Sequence, residues 1–198
     1  GRGVCTGALF SDTLVRTAAH CLCIRATGER FDPATIEFRA GWRNGRAEAY
    51  RMVRRGVIHP DYAYDSQVTT ARVKNDVALL ELARPIRQGR IEPFAIASRP
   101  RKGERVGVVS YAADRAEAPS LQEACRVMAR QIGMLVLSCA VDFGSEGERV
   151  ALGAGLTRQI ATLHDALAAG QGVFQDAPPQ IRRIGQSNPG MSAKTIRP

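Results

Sequence analysis

Lysine is scarce in this sequence. Only Lys74, Lys102 and Lys194 are lysines, and the rest of the 28 basic residues are arginines. No apolar run approaches membrane-spanning length, so no helical membrane span is expected. There is no internal repeat and no low-complexity tract. Long helical patterns are few, while glycine (19) and proline (10) punctuate the chain often. The opening GRGVCTGALF has no charged segment followed by an apolar core, so it does not read as a secretory leader. Val4 to Phe10 already reads as a strand in mid-fold, as in a chain whose start has been processed or truncated.

What is present points to a folded domain. The 198 residues suffice for one large domain or two small lobes, and 44% of them are hydrophobic, enough for a packed core. The net charge is +9. A basic chain raises the question of nucleic acid. Its arginines, however, are scattered over strands and loops, with no dense basic stripe and no aromatic stacking motif. A solvated basic surface is expected, with no nucleic-acid partner and at most weak attraction to acidic surfaces.

Five cysteines, Cys5, Cys21, Cys23, Cys125 and Cys139, leave one thiol outside any intramolecular disulfide scheme. Cys5 with Cys21, and Cys125 with Cys139, would close two loops of similar length, each contributing about 3 kcal/mol through chain entropy. Cys23 would then keep its thiol. Such bridges imply an oxidising compartment, secreted or periplasmic. His20, Cys21 and Cys23 could instead suggest a metal. Their spacing fits no standard zinc knuckle and no second Cys/His pair lies nearby, so no metal is expected.

Along the chain, short β-rich runs alternate with turns: VCTGALF (4–10), TLVRTA (13–18), TIEFRAGW (35–42), AYRMVRRGVI (49–58) and DVALLEL (76–82). In TIEFRAGW, Ile36, Phe38 and Ala40 share one side. DVALLEL is apolar on both faces, as a buried strand is. A linker with Gly89, Pro93, Pro100 and Gly103 follows, and strands resume at 105–111, 124–132 and 134–141. This spacing predicts an all-β barrel or sandwich with a lobe boundary near residue 100. TRQIATLHDALAAG (157–170) predicts a helix with Ile160, Leu163 and Leu167 on one face. The tail from Gln171 to Pro198 predicts a surface wrap or disorder.

Two motifs carry chemistry together. TAAHC (17–21) sets His20 beside Cys21, with CTGAL (5–9) one hairpin earlier. NDVALLEL (75–82) places Asp76 at the mouth of a buried strand. Alone, His20 reads as a structural histidine at a strand end and Asp76 as a turn residue. Together with IHPDY (58–62), they make residues 4–145 resemble the chymotrypsin/trypsin-like serine endopeptidases. The Cys125 and Cys139 region resembles the bacterial, glutamyl-endopeptidase-like side of that superfamily.

The resemblance implies an all-β fold of two six-stranded antiparallel barrels with a cleft between them and a C-terminal helix. It divides the chain into a first barrel lobe (1–100), a shortened second lobe (101–156) and a C-terminal helix and basic tail (157–198). It makes His20 the general base and Asp76 its orienter. A serine hydroxyl is a poor nucleophile until a base takes its proton, and imidazole titrates near neutral pH. The nucleophile should come third, in a Gly-x-Ser-Gly turn whose amides form an oxyanion hole.

An ungapped match places Gly144-Ser145-Glu146-Gly147 in that turn, with Gly144 in the oxyanion hole and Glu146 at the nucleophile position. Ser145 is the nearest hydroxyl, one position early. Ala140 falls where the base of the specificity pocket belongs, which gives a trypsin-like acidic pocket no support. Residues 146–156 are too few for the two further strands, loop and elbow of the family. An internal segment is therefore expected to be missing, and the strand before Val4 with it.

The implied function is a secreted serine endopeptidase acting on peptide or protein substrates through a His-Asp-Ser triad and an acyl-enzyme. It would be monomeric and need no cofactor. The alternative is an inactive pseudoprotease that uses the same cleft for binding.

Overall fold

In a computed structural model, the described residues are 4–24, 26–64, 67, 69–87, 89–95, 100–110, 120–131, 134–138 and 182–186. The expected helix (157–170), Cys139, Gly144, Ser145 and Glu146 lie outside them.

Apolar and polar residues alternate in the early strands, and the sheet follows that alternation. The strands are β1 (Val4–Thr6), β2 (Ala8–Leu9), β3 (Leu14–Thr17), β4 (Ile36–Ala40), β5 (Ala49–Ile58) and β6 (Ala78–Leu82). A second group comprises β7 (Arg105–Ser110), β8 (Ser120–Gln131) and β9 (Met134–Leu137), and β10 is Arg182–Gln186.

Among the described residues, the first sheet runs β1-β10-β4-β5-β6-β3-β2. Its two end strands, β1 and β2, are separated only by Gly7 in the chain, so the sheet curls back on itself as a barrel wall. The second sheet runs β7-β8-β9, antiparallel throughout. The architecture is mostly β, built of curled half-barrel sheets that are antiparallel apart from β10, which pairs parallel with β1 and β4, with very little helix among the described residues. This is the chymotrypsin-like arrangement.

The core sits inside the first sheet. Ile36, Phe38 and Ala40, on alternating positions of β4, are fully buried, as are Leu9, Val15, Leu79 and Leu80. Burying the Ile, Phe, Leu and Val side chains among them contributes roughly 1.5–3 kcal/mol each. The β4–β5 connection turns at Arg43-Asn44-Gly45-Arg46, where Asn44 and Gly45 both have positive φ (49° and 79°) and Arg43 and Arg46 exchange backbone hydrogen bonds. This is the primed hairpin turn that Asn-Gly favours.

Two elements depart from the sequence expectation. A short helix, α1 (Thr70–Asn75), precedes β6. It buries no residue, so no apolar stripe announced it. The tail, expected to wrap or be disordered, contributes β10 to the first sheet.

Candidate active site

The register of two strands builds the site. β3 and β6 are antiparallel, with Thr17 opposite Ala78. Three residues past Thr17 and two before Ala78 therefore emerge at the same end of the sheet. The first is His20, in the 3-10 helix Ala19–Leu22, and the second is Asp76, which caps the C-terminus of α1.

The structure brings these two together. His20 Nδ1 lies 2.5 Å from Asp76 Oδ2, and the His20 backbone N–H donates to Asp76 Oδ1 at 2.8 Å. An ionised carboxylate only accepts, so Nδ1 carries the proton and donates it. In the neutral ring, Nε2 is then the acceptor nitrogen. The His20 side chain is 24% exposed and that of Asp76 19%, so the pair is screened but still reachable.

The disulfide lies against the other side of the ring. Cys5 of β1 is bonded to Cys21, with a Cα–Cα separation of 6.2 Å. Cys21 Sγ sits 3.6 Å from His20 Nε2. Thr17 Oγ1 donates to the Thr6 carbonyl at 3.0 Å, which ties β3 to β1 beside the disulfide. Cys23 is a buried thiol outside this bridge, donating to the Ala19 carbonyl at 3.6 Å. Cys125 is fully buried and disulfide-bonded, while its expected partner lies outside the described residues.

Cys5, His20 and Cys21 offer ligand atoms within 4.8 Å of one another. Zinc is held by thiolates, and sulfurs bonded to each other supply none. While the bridge is intact, only His20 of the three could ligate an ion.

Tyr62 was not singled out from the sequence as a site residue, although IHPDY contains it. It is 8% exposed. Burial, and next the Asp76 charge, push its phenol up to about 12, with Arg72 opposing. Tyr62 thus presents a neutral, protonated ring beside the dyad carboxylate. Thr69 was missed as well. Its hydroxyl accepts from Arg72 N at 3.2 Å and starts the helix that ends on Asp76. A Thr three residues ahead of Arg72 and just before a helix-forming stretch was the available signal.

His59 has its own partners. It is buried, and its Nδ1 accepts from the Asp61 N–H at 3.2 Å. Burial lowers its pKa below 6.5, Asp61 raises it and Lys74 adds to the lowering. His164, Ser145 and Gly144 lie outside the described residues.

The trypsin family model matches residues 1–131. The chain belongs to the trypsin family. It is 39% identical over 83 residues to a trypsin of Phaedon cochleariae, an alignment covering 41% of this chain and 28% of that protein. Kallikrein-related peptidase 10 is similar in its zinc complex, at 20% identity and TM-score 0.46, covering 67% of this chain and 61% of that one. A second structure of that peptidase has 22% identity and TM-score 0.43, covering 63% and 51% of the two chains. This trypsin-family chain thus spans little more than a quarter of the insect trypsin. That relative lends the bacterial glutamyl-endopeptidase resemblance no support.

Proposed function

We propose that this chain is a serine-type endopeptidase by descent, carrying the general-base half of the catalytic apparatus. The observation that supports this best is the double hydrogen bond of Asp76 to His20. It holds Nδ1 as donor and leaves Nε2 to take a proton from an attacking hydroxyl. Membership of the trypsin family makes peptide or protein substrates the natural ones, and the Cys5–Cys21 bridge agrees with a secreted or periplasmic location. In this reading, peptide-bond hydrolysis proceeds through an acyl-enzyme on a serine supplied by a Gly-x-Ser-Gly turn.

The nucleophile is the unfulfilled part. Glu146 occupies its ungapped position, and a carboxylate cannot stand in for serine in this acyl transfer. Ser145 is one residue early, which in a tight turn aims its side chain elsewhere. Loss of the nucleophile in a triad costs on the order of 10⁶-fold in turnover. The 198-residue chain as written is therefore inactive or nearly so. Glu146 also favours a second reading, a pseudoprotease that binds peptides in the same cleft.

Fluorophosphonate labelling tests both readings. No labelling is expected of this chain. Stoichiometric labelling abolished by Ser145→Ala and by His20→Ala would show that Ser145 is the nucleophile. Labelling gained when a Gly-x-Ser-Gly segment is placed after Phe143 favours the endopeptidase reading. A chain that still fails to label but binds peptides favours the pseudoprotease.

A further inference from the structure

Among the described residues, Cys5, His20 and Cys21 form the one group of three potential metal ligands, with ligand atoms all within 4.8 Å of one another. Two of its members are bonded to each other, which withholds both sulfurs from an ion. Cleaving that bond changes the donor set. A thiol reductant does so with two electrons. Two reductant thiols become one disulfide, the Cys5–Cys21 bond breaks, and each freed sulfur takes one proton.

We propose that reduction of the Cys5–Cys21 bridge creates a zinc site, with Cys5 Sγ, Cys21 Sγ and His20 Nε2 as ligands and a fourth position open. Binding the ion displaces the two thiol protons. Two thiolates and an imidazole suit zinc, which often takes three protein ligands and leaves one place open. The distances fit. Zinc bonds of about 2.3 Å to sulfur and about 2.0–2.1 Å to nitrogen set those ligands about 3.5–3.6 Å apart in a tetrahedron. Cys21 Sγ and His20 Nε2 already stand 3.6 Å apart. The two sulfurs must part to about 3.8 Å, and Cα atoms 6.2 Å apart allow that by side-chain rotation.

The surroundings favour the ion too. A zinc-bound histidine ordinarily donates its other N–H to a carboxylate, which fixes the ring and raises its basicity. His20 Nδ1 already donates to Asp76 Oδ2 at 2.5 Å. The backbone has ties besides the bridge: Thr17 Oγ1 donates to the Thr6 carbonyl, and the Cys21 N–H donates to the Ala18 carbonyl at 3.2 Å. Cys5 and Cys21 are buried while the His20 side chain is 24% exposed, so the ion enters on the ring's side. Zinc on Nε2 would occupy the nitrogen a general base uses, yet the site rests on geometry and not on whether the dyad is catalytic.

The test adds zinc alone to the full chain, reduced by a phosphine and freed of it without air. X-ray absorption at the zinc edge should find two sulfurs at about 2.3 Å and nitrogen or oxygen at about 2.0–2.1 Å. The unreduced chain should show no pair of sulfurs. Cys5→Ala should lose one equivalent of two-sulfur zinc, and Cys125→Ala should keep that equivalent. Asp76→Asn should weaken it by about 10- to 100-fold, read by competition with a chromophoric chelator. This last readout separates a folded site from the cysteines of an opened chain, in which residue 76 has no hold on His20. Equal affinity in Asp76→Asn overturns the site. So does a reduced chain that takes no zinc, or two-sulfur zinc whose stoichiometry Cys5→Ala leaves unchanged.

Discussion

Each oxygen of the Asp76 carboxylate accepts a different hydrogen of one residue, His20: Oδ1 the backbone N–H, Oδ2 the ring Nδ1–H. Backbone and ring are thereby locked to one another. A different polar residue is costly where it stands. Arg16 faces Leu79 across the β3–β6 pair and is 6% exposed. Burial pushes its guanidinium down to about 10, and none of the ion pairs among the described residues includes it. Replacing a buried charge with an apolar side chain of similar length often stabilises. Arg16→Met should raise stability by about 1 kcal/mol or more, read from urea midpoints, and a lower midpoint would contradict the account.

His59 gives a pH signature. Its folded pKa is depressed, so the unfolded chain binds the proton more readily. The stability it contributes is present above its ordinary value of 6.5 and lost as pH falls through the lower folded value. Between pH 8 and pH 5 the wild-type midpoint should fall further than that of His59→Gln. Equal falls would count against this role.

Elements place these residues. The dyad depends on the β3–β6 register, since a slip of one residue would turn Thr17 and Ala78 to opposite faces. It also depends on α1, whose six residues bury nothing and rely on the Thr69 cap. Thr69→Ala should cost about 1 kcal/mol, seen as faster amide exchange across Thr70–Asp76. Unchanged exchange would show that β6 alone fixes Asp76.

The legibility of the elements follows from burial. Ile36, Phe38 and Ala40 announced β4 because one face is core. DVALLEL announced β6 because both faces are. α1 buries nothing and gave no periodic signal. Asn44-Gly45 was a readable hairpin turn that the strand pattern overshadowed. β10 could not be read, because its place comes from two distant strands and its own sequence carries no alternation. His20 and Asp76 were legible only as a pair of motifs. Spacing along the chain says nothing of the register that joins them, and the bland reading of each alone was reasonable.

At the scale of the molecule, the Cys5–Cys21 bridge ties the first strand to the site. Its removal by Cys5→Ala with Cys21→Ala should cost about 3 kcal/mol in the chain-entropy account and loosen the His20 segment. Chemical denaturation measures it, and a loss well below 1 kcal/mol would mean that the β1–β10–β4 pairing suffices to hold β1. Among the described residues, the His20–Asp76 pair and the Cys5–Cys21 bridge beside it make up the candidate site.

The most direct test of the central claim, a base preset by Asp76, is nitrogen-15 NMR of the His20 ring at a pH where the imidazole is neutral. The account predicts a protonated Nδ1, hydrogen-bonded to carboxylate, and an unprotonated Nε2, with that preference weakened in Asp76→Asn. A proton on Nε2 in the wild-type chain, or a tautomer mixture indifferent to Asp76, would contradict it.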